Sequence, residues 1–376
     1  MIVLSNEVVI PKTKLTFFLK NITTLIKLKR SNRKSIEKFI KTNKYLDAPI
    51  IPSFEGTGGP MEEGMIYIMF NSENNSSPSS IDSVFRIFWV NAPILRFSFF
   101  DSFFISEKFK SGQWSRDYPH SIFQNLSKDR FHQEVSIDEC HILMDGTWNK
   151  GYEFKFSDNL NNISGQLIFD PIEKGVLTYF NGRKAIVRSM AQKFYDMFAI
   201  RINGEIEVQG KKIQVKDGRA IIEHGLGIFS GFYIYDWRWL NLQFPDGVFH
   251  LFYNSFTLED IGEGILESGE GAGVMNGQWF HFQPKTFKID EIAYEEDEKL
   301  PTKVPVEWRV TAGKDSNGNS MLDLRMKKTA HLSWIGANSE IEEYVTNYIV
   351  QAEGTWEGKH IKGKGTMENM MHHKIE

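Results

Sequence analysis

One cysteine, Cys140, stands in 376 residues. A lone thiol excludes an internal disulfide and suits a reducing compartment, so the cytoplasm is the expected location. Apolar runs are short, and none is long enough to span a bilayer. No apolar core followed by a small-residue cleavage site marks a secretory signal. Metal-ligand spacing is missing from the His and Cys positions, and His372-His373 falls at the chain's end. There is no Gly-x-Ser-x-Gly elbow. The glycine-rich stretch Gly262 to Gly273 lacks the Gly-Lys-Ser/Thr ending of a phosphate loop and follows no βα unit. Nucleophilic hydrolysis and metal catalysis are therefore unsupported, and neither a cofactor nor a metal is expected.

Acidic residues are scarce in one place only. Between Lys12 and Lys44 the single acid is Glu37, so the net charge of −4 lies on an acidic remainder. An acidic body excludes nucleic acid as the main partner. Within the basic stretch Leu15, Phe18, Ile22, Leu25 and Ile26 recur at helical spacing among lysines, and a second basic helix is expected over 35–44. Residues 1–46 thus read as a basic amphipathic helical arm. It either packs on the body, binds an anionic membrane surface through residues 12–44, or serves as a mitochondrial targeting peptide.

What the chain has in excess is aromatic rings: 14% of the residues, with 30 Phe, 12 Tyr and 9 Trp. After the Gly/Pro-rich stretch Pro49 to Pro60, short apolar and aromatic runs alternate with turn residues such as Asn149-Lys150-Gly151 and Pro245-Asp246-Gly247. Many short strands with almost no helix between them predict an all-β protein built of antiparallel barrels or sandwiches. A weak repeat supports a tandem arrangement. GEIEVQGKKIQVKDGRAIIE and AEGTWEGKHIKGKGTMEN each run through Gly-Lys-x-Ile to a strand ending in Glu, at Glu223 and Glu368. The expected closing hairpin is used twice, which places a seam near Gly225.

The chemistry-bearing residues concentrate between Gly218 and Phe249. Alternation puts Tyr233, Tyr235, Trp237 and Trp239 on one strand face, a rigid surface able to line a cavity or fill a core. Asp236 and Arg238 take the other face and are expected to pair with each other or with rim charges. His250 and Tyr253 on the returning strand point oppositely, so at most one joins the aromatic wall. Glu223-His224 lies just upstream, the only acid/base pair near that wall in sequence. Burial beside aromatic rings would keep Glu223 protonated and able to donate a proton; the competing reading is an ordinary ion pair for Glu223 and a backbone-satisfied His224.

Three stretches resemble the two-barrel, lipocalin-like (calycin) superfamily of AttH-type proteins and carotenoid 1,2-hydratases. They are Gly204 to Gly227 with its Glu223-His224-Gly225 ending, Asp236-Trp237-Arg238-Trp239 followed by Asp246-Gly247, and the C-terminal Val304 to Arg309, Glu353 to Gly358 and Gly363 to Glu368. The resemblance implies two antiparallel lipocalin-like β-barrels, over residues 47–225 and 226–376, behind the helical arm. Members similar to this chain include hydratases of isoprenoid alkenes, cofactor-free Diels–Alderases and sphingolipid-binding survival factors. The family's acid-His pair is Asp-His, where this chain has Glu223-His224. Glu223 and His224 are the candidate catalytic residues, and Tyr233, Tyr235, Trp237, Trp239, Tyr253, Trp356 and Glu368 the candidate ligand contacts. The favoured function is binding of a hydrophobic, lipid- or isoprenoid-like small molecule in a barrel or between barrels. The alternative is a cofactor-independent hydratase, cyclase or isomerase of an apolar polyene.

Overall fold

The computed structural model describes residues 2–3, 9–10, 61–71, 81–92, 97–106, 110–118, 123–126, 131–137, 140–147, 150–178, 185–187, 190–228, 235–257, 265–282, 286–314, 318–337 and 341–374. The expected helical arm and Tyr233 lie outside the described residues, apart from the paired two-residue strands β1 (Ile2–Val3) and β2 (Val9–Ile10). The first large sheet comprises β3 (Met61–Phe70), β4 (Ser83–Ala92), β5 (Phe97–Ser106), β6 (Lys110–Tyr118), β7 (Phe123–Leu126), β8 (Phe131–Ile137), β9 (Cys140–Thr147), β10 (Gly151–Asp158), β11 (Ile163–Thr178), β12 (Ala185–Val187), β13 (Met190–Val208) and β14 (Lys211–Ile228). The second holds β15 (Tyr235–Phe244), β16 (Gly247–Thr257), β17 (Ile265–Met275), β18 (Gln278–Phe282), β19 (Lys288–Glu295), β20 (Val304–Ala312), β21 (Leu322–Ala337), β22 (Ile341–Trp356) and β23 (Lys359–Lys374).

Both sheets are antiparallel, and the order of the second matches that of the first from β6 to β9, with β7, β8 and β12 of the first left without a counterpart. The first runs β6-β5-β4-β3-β14-β13-β11-β10-β9-β8-β7, with β12 beside β13; the second runs β18-β17-β16-β15-β23-β22-β21-β20-β19. In each, the first long strand pairs with the last, β3 with β14 and β15 with β23. The repeated sequence motif maps onto equivalent hairpins, β13–β14 and β22–β23. Both turn through two residues of positive φ, Gln209-Gly210 (53° and 77°) and Glu357-Gly358 (48° and 77°). Such loops match the right-handed twist of the strands they join.

Each sheet curls round its own core. Phe85 of β4 stacks on Phe156 of β10 at 4.5 Å between centroids, although four strands separate them in the sheet order. Phe280 of β18 likewise stacks on Trp356 of β22 at 4.5 Å. The inner faces are packed with aliphatic and aromatic side chains, Ile66, Ile68 and Phe70 among them in the first sheet and Leu240, Leu242 and Phe244 in the second.

A third cluster joins the two sheets through their outer faces. Met65, Tyr67 and Met69 of β3, Val84 of β4 and Phe103 and Ile105 of β5 pack with Trp239, Val248, Leu332, Trp334, Val345, Ile349 and Met370 of the second sheet. Strands such as β3 are therefore buried on both sides, which explains why Met65 to Phe70 is a continuous apolar run without polar alternation. Each large apolar side chain fully buried in this seam stabilises by roughly 1.5–3 kcal/mol.

Candidate functional site

The seam has a charged centre built from two facing rows of residues. Across the second sheet, Phe252 opposes Trp239, Trp239 opposes Glu368, and Glu368 opposes Asn347. Across the first, Ile221 opposes Tyr67, Tyr67 opposes Arg86, and Arg86 opposes Phe103. The rows meet face to face: the Tyr67 ring stacks on Trp239 at 4.5 Å with planes 29° apart.

Arg86 and Glu368 form an ion pair with side chains only 1% and 6% exposed. Removing both charges from water is costly, and the site offsets this with donors and rings. Glu368 Oε1 accepts from Trp237 Nε1 at 2.9 Å, and Oε2 accepts from Arg86 Nη1 and from the Tyr67 hydroxyl at 2.7 Å. The Tyr67 hydroxyl also lies 2.5 Å from Asn347 Oδ1, so its single proton sits between two acceptors. It accepts in turn from Arg86 Nη1 at 3.3 Å. The guanidinium stands over three rings, 4.9 Å from the centroid of Phe103, 5.6 Å from Tyr67 and 5.7 Å from Phe88. Burial pushes the Tyr67 phenol well above its usual range; the Arg86 charge opposes that push and the Glu368 charge adds to it. Three donors converge on Glu368, so it works as an acceptor that fixes ring positions.

Two residues along each strand, partly buried side chains join the seam. Glu223 opposes Met65 and Met65 opposes Phe88 on the first sheet, while Trp237 opposes Met370 on the second. Phe88, Trp237 and Phe252 pack against the seam but are only partly buried, and Glu223 is half-buried on the same face as Ile221. In the other direction the seam turns polar: Asn241 Nδ2 lies 3.4 Å from His250 Nδ1, and Gln243 donates to Asn241 Oδ1. His250 stacks on Phe198 at 5.3 Å and meets Trp239 edge-on at 5.0 Å. Among the described residues no group of three or more His, Cys, Asp or Glu is placed to hold a metal ion.

No protein-family model matches the sequence, and no curated protein matches it. Solved structures do match its fold. A Nitrosomonas europaea protein described as an AttH aligns over 86% of this chain and 98% of its own, with TM-score 0.59 and 15% identity. Kievitone hydratase of Nectria haematococca aligns over 83% of this chain and 88% of its own, with TM-score 0.55 and 12% identity. CghA, solved with Sch210972, covers 82% and 88% with TM-score 0.58 and 8% identity. The chain thus shares the AttH-like arrangement of two antiparallel sheets.

Of the residues expected from sequence, Trp237, Trp239 and Glu368 meet at the seam, joined by the Trp237–Glu368 hydrogen bond. Glu223 lies on the seam face, opposite Met65, and His250 joins the aromatic wall. Tyr253 holds the register position opposite Arg238, and Arg238 pairs with Glu291 at 2.5 Å. His224 holds a backbone position between Tyr195 and Gly64, and Tyr235 opens β15. Trp356 is placed elsewhere: it packs inside the second sheet against Phe249, Phe280 and Phe282, at 5.1, 4.5 and 6.2 Å. Strand parity is the reason. Asn347 opposes Glu368 on the seam face, so β22 sends odd-numbered residues there and even-numbered Trp356 inward.

Sequence reasoning missed Tyr67, Arg86 and Asn347. Arg86 carried a usable signal, since it is the one charge in the apolar run Val84-Phe85-Arg86-Ile87-Phe88-Trp89-Val90 and a buried charge demands a partner. Tyr67 and Asn347 carried none.

Proposed function

We propose that the protein binds a hydrophobic small molecule, lipid- or isoprenoid-like, against the half-buried aromatic rim of the seam. One observation carries this reading: Phe88, Trp237 and Phe252, from both sheets, pack on the seam yet remain partly uncovered. The Arg86–Glu368–Tyr67 centre holds Trp237 in place from behind, through the hydrogen bond to Glu368. A rigid aromatic wall with a fixed polar back is what an apolar ligand needs for contact area and orientation. The apolar parts of the inner faces are a poorer choice, because aliphatic and aromatic side chains pack together there. The fold neighbours support a small organic ligand, CghA by its bound Sch210972 and kievitone hydratase by its name. The basic segment 12–44 would bring this rim to an anionic membrane, which vesicle flotation with and without residues 1–46 checks.

The second reading, cofactor-independent hydration or cyclisation, draws on Glu223. It is a half-buried carboxyl in the same row as Met65 and Phe88, within the rim. Native mass spectrometry and solvent extraction of purified protein separate the two. Binding predicts a co-purified apolar molecule, depleted about tenfold in Trp237→Ala and chemically identical in wild type and Glu223→Gln. A molecule converted in wild type but unconverted in Glu223→Gln establishes catalysis. Absence of any apolar ligand after exposure to lipid extracts refutes both.

A further inference from the structure

The inner face of the second sheet carries a group of polar side-chain atoms within its apolar core. Registration places Asn369 of β23 between Arg238 of β15 and Thr346 of β22, and Thr346 opposite Ser333 of β21. Beside this row, Tyr348 opposes His331, and the Trp308 ring meets Tyr348 edge-on at 5.0 Å. The curl closes over them in two places. Arg238 reaches Glu291 of β19 with Nε and Nη2 at 3.1 and 2.5 Å, and the Tyr294 hydroxyl donates to Glu291 Oε2 at 2.8 Å. Asp297 then accepts from His331 Nε2 at 2.9 Å, from the Ser333 hydroxyl at 2.7 Å, and from the backbone N–H groups of Lys299 and Leu300 at 2.7 and 3.0 Å.

Four polar atoms inside this enclosure have no protein partner at hydrogen-bonding distance and angle. They are Trp308 Nε1, the Tyr348 hydroxyl, and both Nδ2 and Oδ1 of Asn369, all on fully buried residues. Thr346 and Asn369 approach the Tyr348 phenol and pull its pKa down against the burial that raises it, but neither meets full hydrogen-bonding distance and angle. Buried donors and acceptors in native interiors are paired, so an indole, a carboxamide and a phenol left open together demand an occupant. Its chemistry follows from their inventory. Trp308 can only donate, Asn369 donates and accepts, and Tyr348 does either. A group that accepts at least two hydrogen bonds and donates one satisfies them. An anion is disfavoured by Asp297 and Glu291, and a cation finds both carboxylates already engaged.

We propose that this enclosure is a second binding site, for a small neutral molecule held through a hydroxyl or a primary carboxamide. It lies on the opposite face of the sheet from Trp237, Trp239 and Glu368, so it stands apart from the seam site. The test follows the indole N–H of Trp308 in the NMR spectrum of the full-length ¹⁵N-labelled protein, assigned through Trp308→Phe. Acetamide and 1,2-propanediol are titrated, with acetate and methylammonium as charged controls. A saturable shift is expected for at least one neutral probe and for neither charged one. Its affinity should fall about tenfold in Asn369→Leu. Tyr348→Phe, which deletes one hydroxyl and keeps the ring, should weaken it similarly and serves if Asn369→Leu does not fold. No saturable shift with either neutral probe overturns the proposal. So does unchanged affinity in both variants, or a crystal structure grown with the probes showing water alone between Trp308 and Asn369.

Discussion

A buried guanidinium beside a buried carboxylate is stable only while both are present, because either alone is an uncompensated charge in a dry interior. Arg86→Met should therefore cost about 3–5 kcal/mol in urea unfolding, and joining it with Glu368→Met should recover a good part of the loss. Equal destabilisation by single and double variants would mean that the pair contributes more than the removal of its own desolvation cost. The Tyr67 phenol adds a pH dependence. Burial raises its folded-state pKa, with Arg86 opposing and Glu368 assisting, so its contribution is complete below the unfolded value of about 10 and is lost as pH rises beyond it. Tyr67→Phe should flatten that alkaline limb of stability. His331 shifts the other way. Burial and the Lys328 and Lys110 charges lower its pKa, against the opposing Asp297 carboxylate, so folding favours its neutral form. Its contribution is complete above about 6.5 and declines as pH falls through that value. A melting-temperature profile that does not change in His331→Gln between pH 7 and 5 would contradict this. The candidate site was half legible at this scale. Trp237 and Trp239 announce themselves by alternation, and Glu368 by the repeated hairpin ending. Tyr67 and Asn347 do not, because they reach the site from 301 and 21 residues away from Glu368 and only the sheet register brings them there.

Strands and turns were more readable than sites, since their signals are local. The Gly-Lys-x-Ile motif anticipated two equivalent hairpins, and the structure places Gly210 and Gly358 in matching left-handed turn positions. A Cβ at Gly358 meets open space, so a substitution there feels backbone strain alone, with φ at 77°. Gly358→Val should therefore destabilise by about 1–2 kcal/mol without disturbing the core, a value thermal unfolding can read. The same change at Gly365 should be far worse, because its Cβ would stand 1.9 Å from the Asn241 carbonyl oxygen of the neighbouring strand. Parity was the element-scale feature beyond sequence. The inner and seam faces of β22 are both apolar, with Tyr348 and Val350 on one and Val345 and Ile349 on the other. Composition does not say which way Trp356 points when both directions lead to a core.

At the scale of the whole molecule, the correspondence of strand order between the two sheets indicates one architecture used twice and joined back to back. The join is more than the charged centre. Phe103 of β5 packs on Trp334 of β21 at 5.1 Å, a further ring contact between the two sheets. Lys110 of β6 lies near Lys328 of β21 and near Asp297 and Glu298, which follow β19; burial, then the Lys328 charge, lowers its pKa. Apolar packing, a buried ion pair and a peripheral charge group thus span one contact, and each element of it requires both sheets to be folded. Two units sharing so much buried surface should unfold together. Trp334→Ala removes a ring held between the sheets and should cost about 3–5 kcal/mol. The informative readout is native-state hydrogen exchange. If the seam couples the sheets, Trp334→Ala lowers protection of β3 to β5, in the other sheet, by the same amount as that of β21 and β22. Protection lost only in β21 and β22, or two resolved calorimetric transitions in the wild type, would show that each sheet stands alone and that the seam is merely a contact between them.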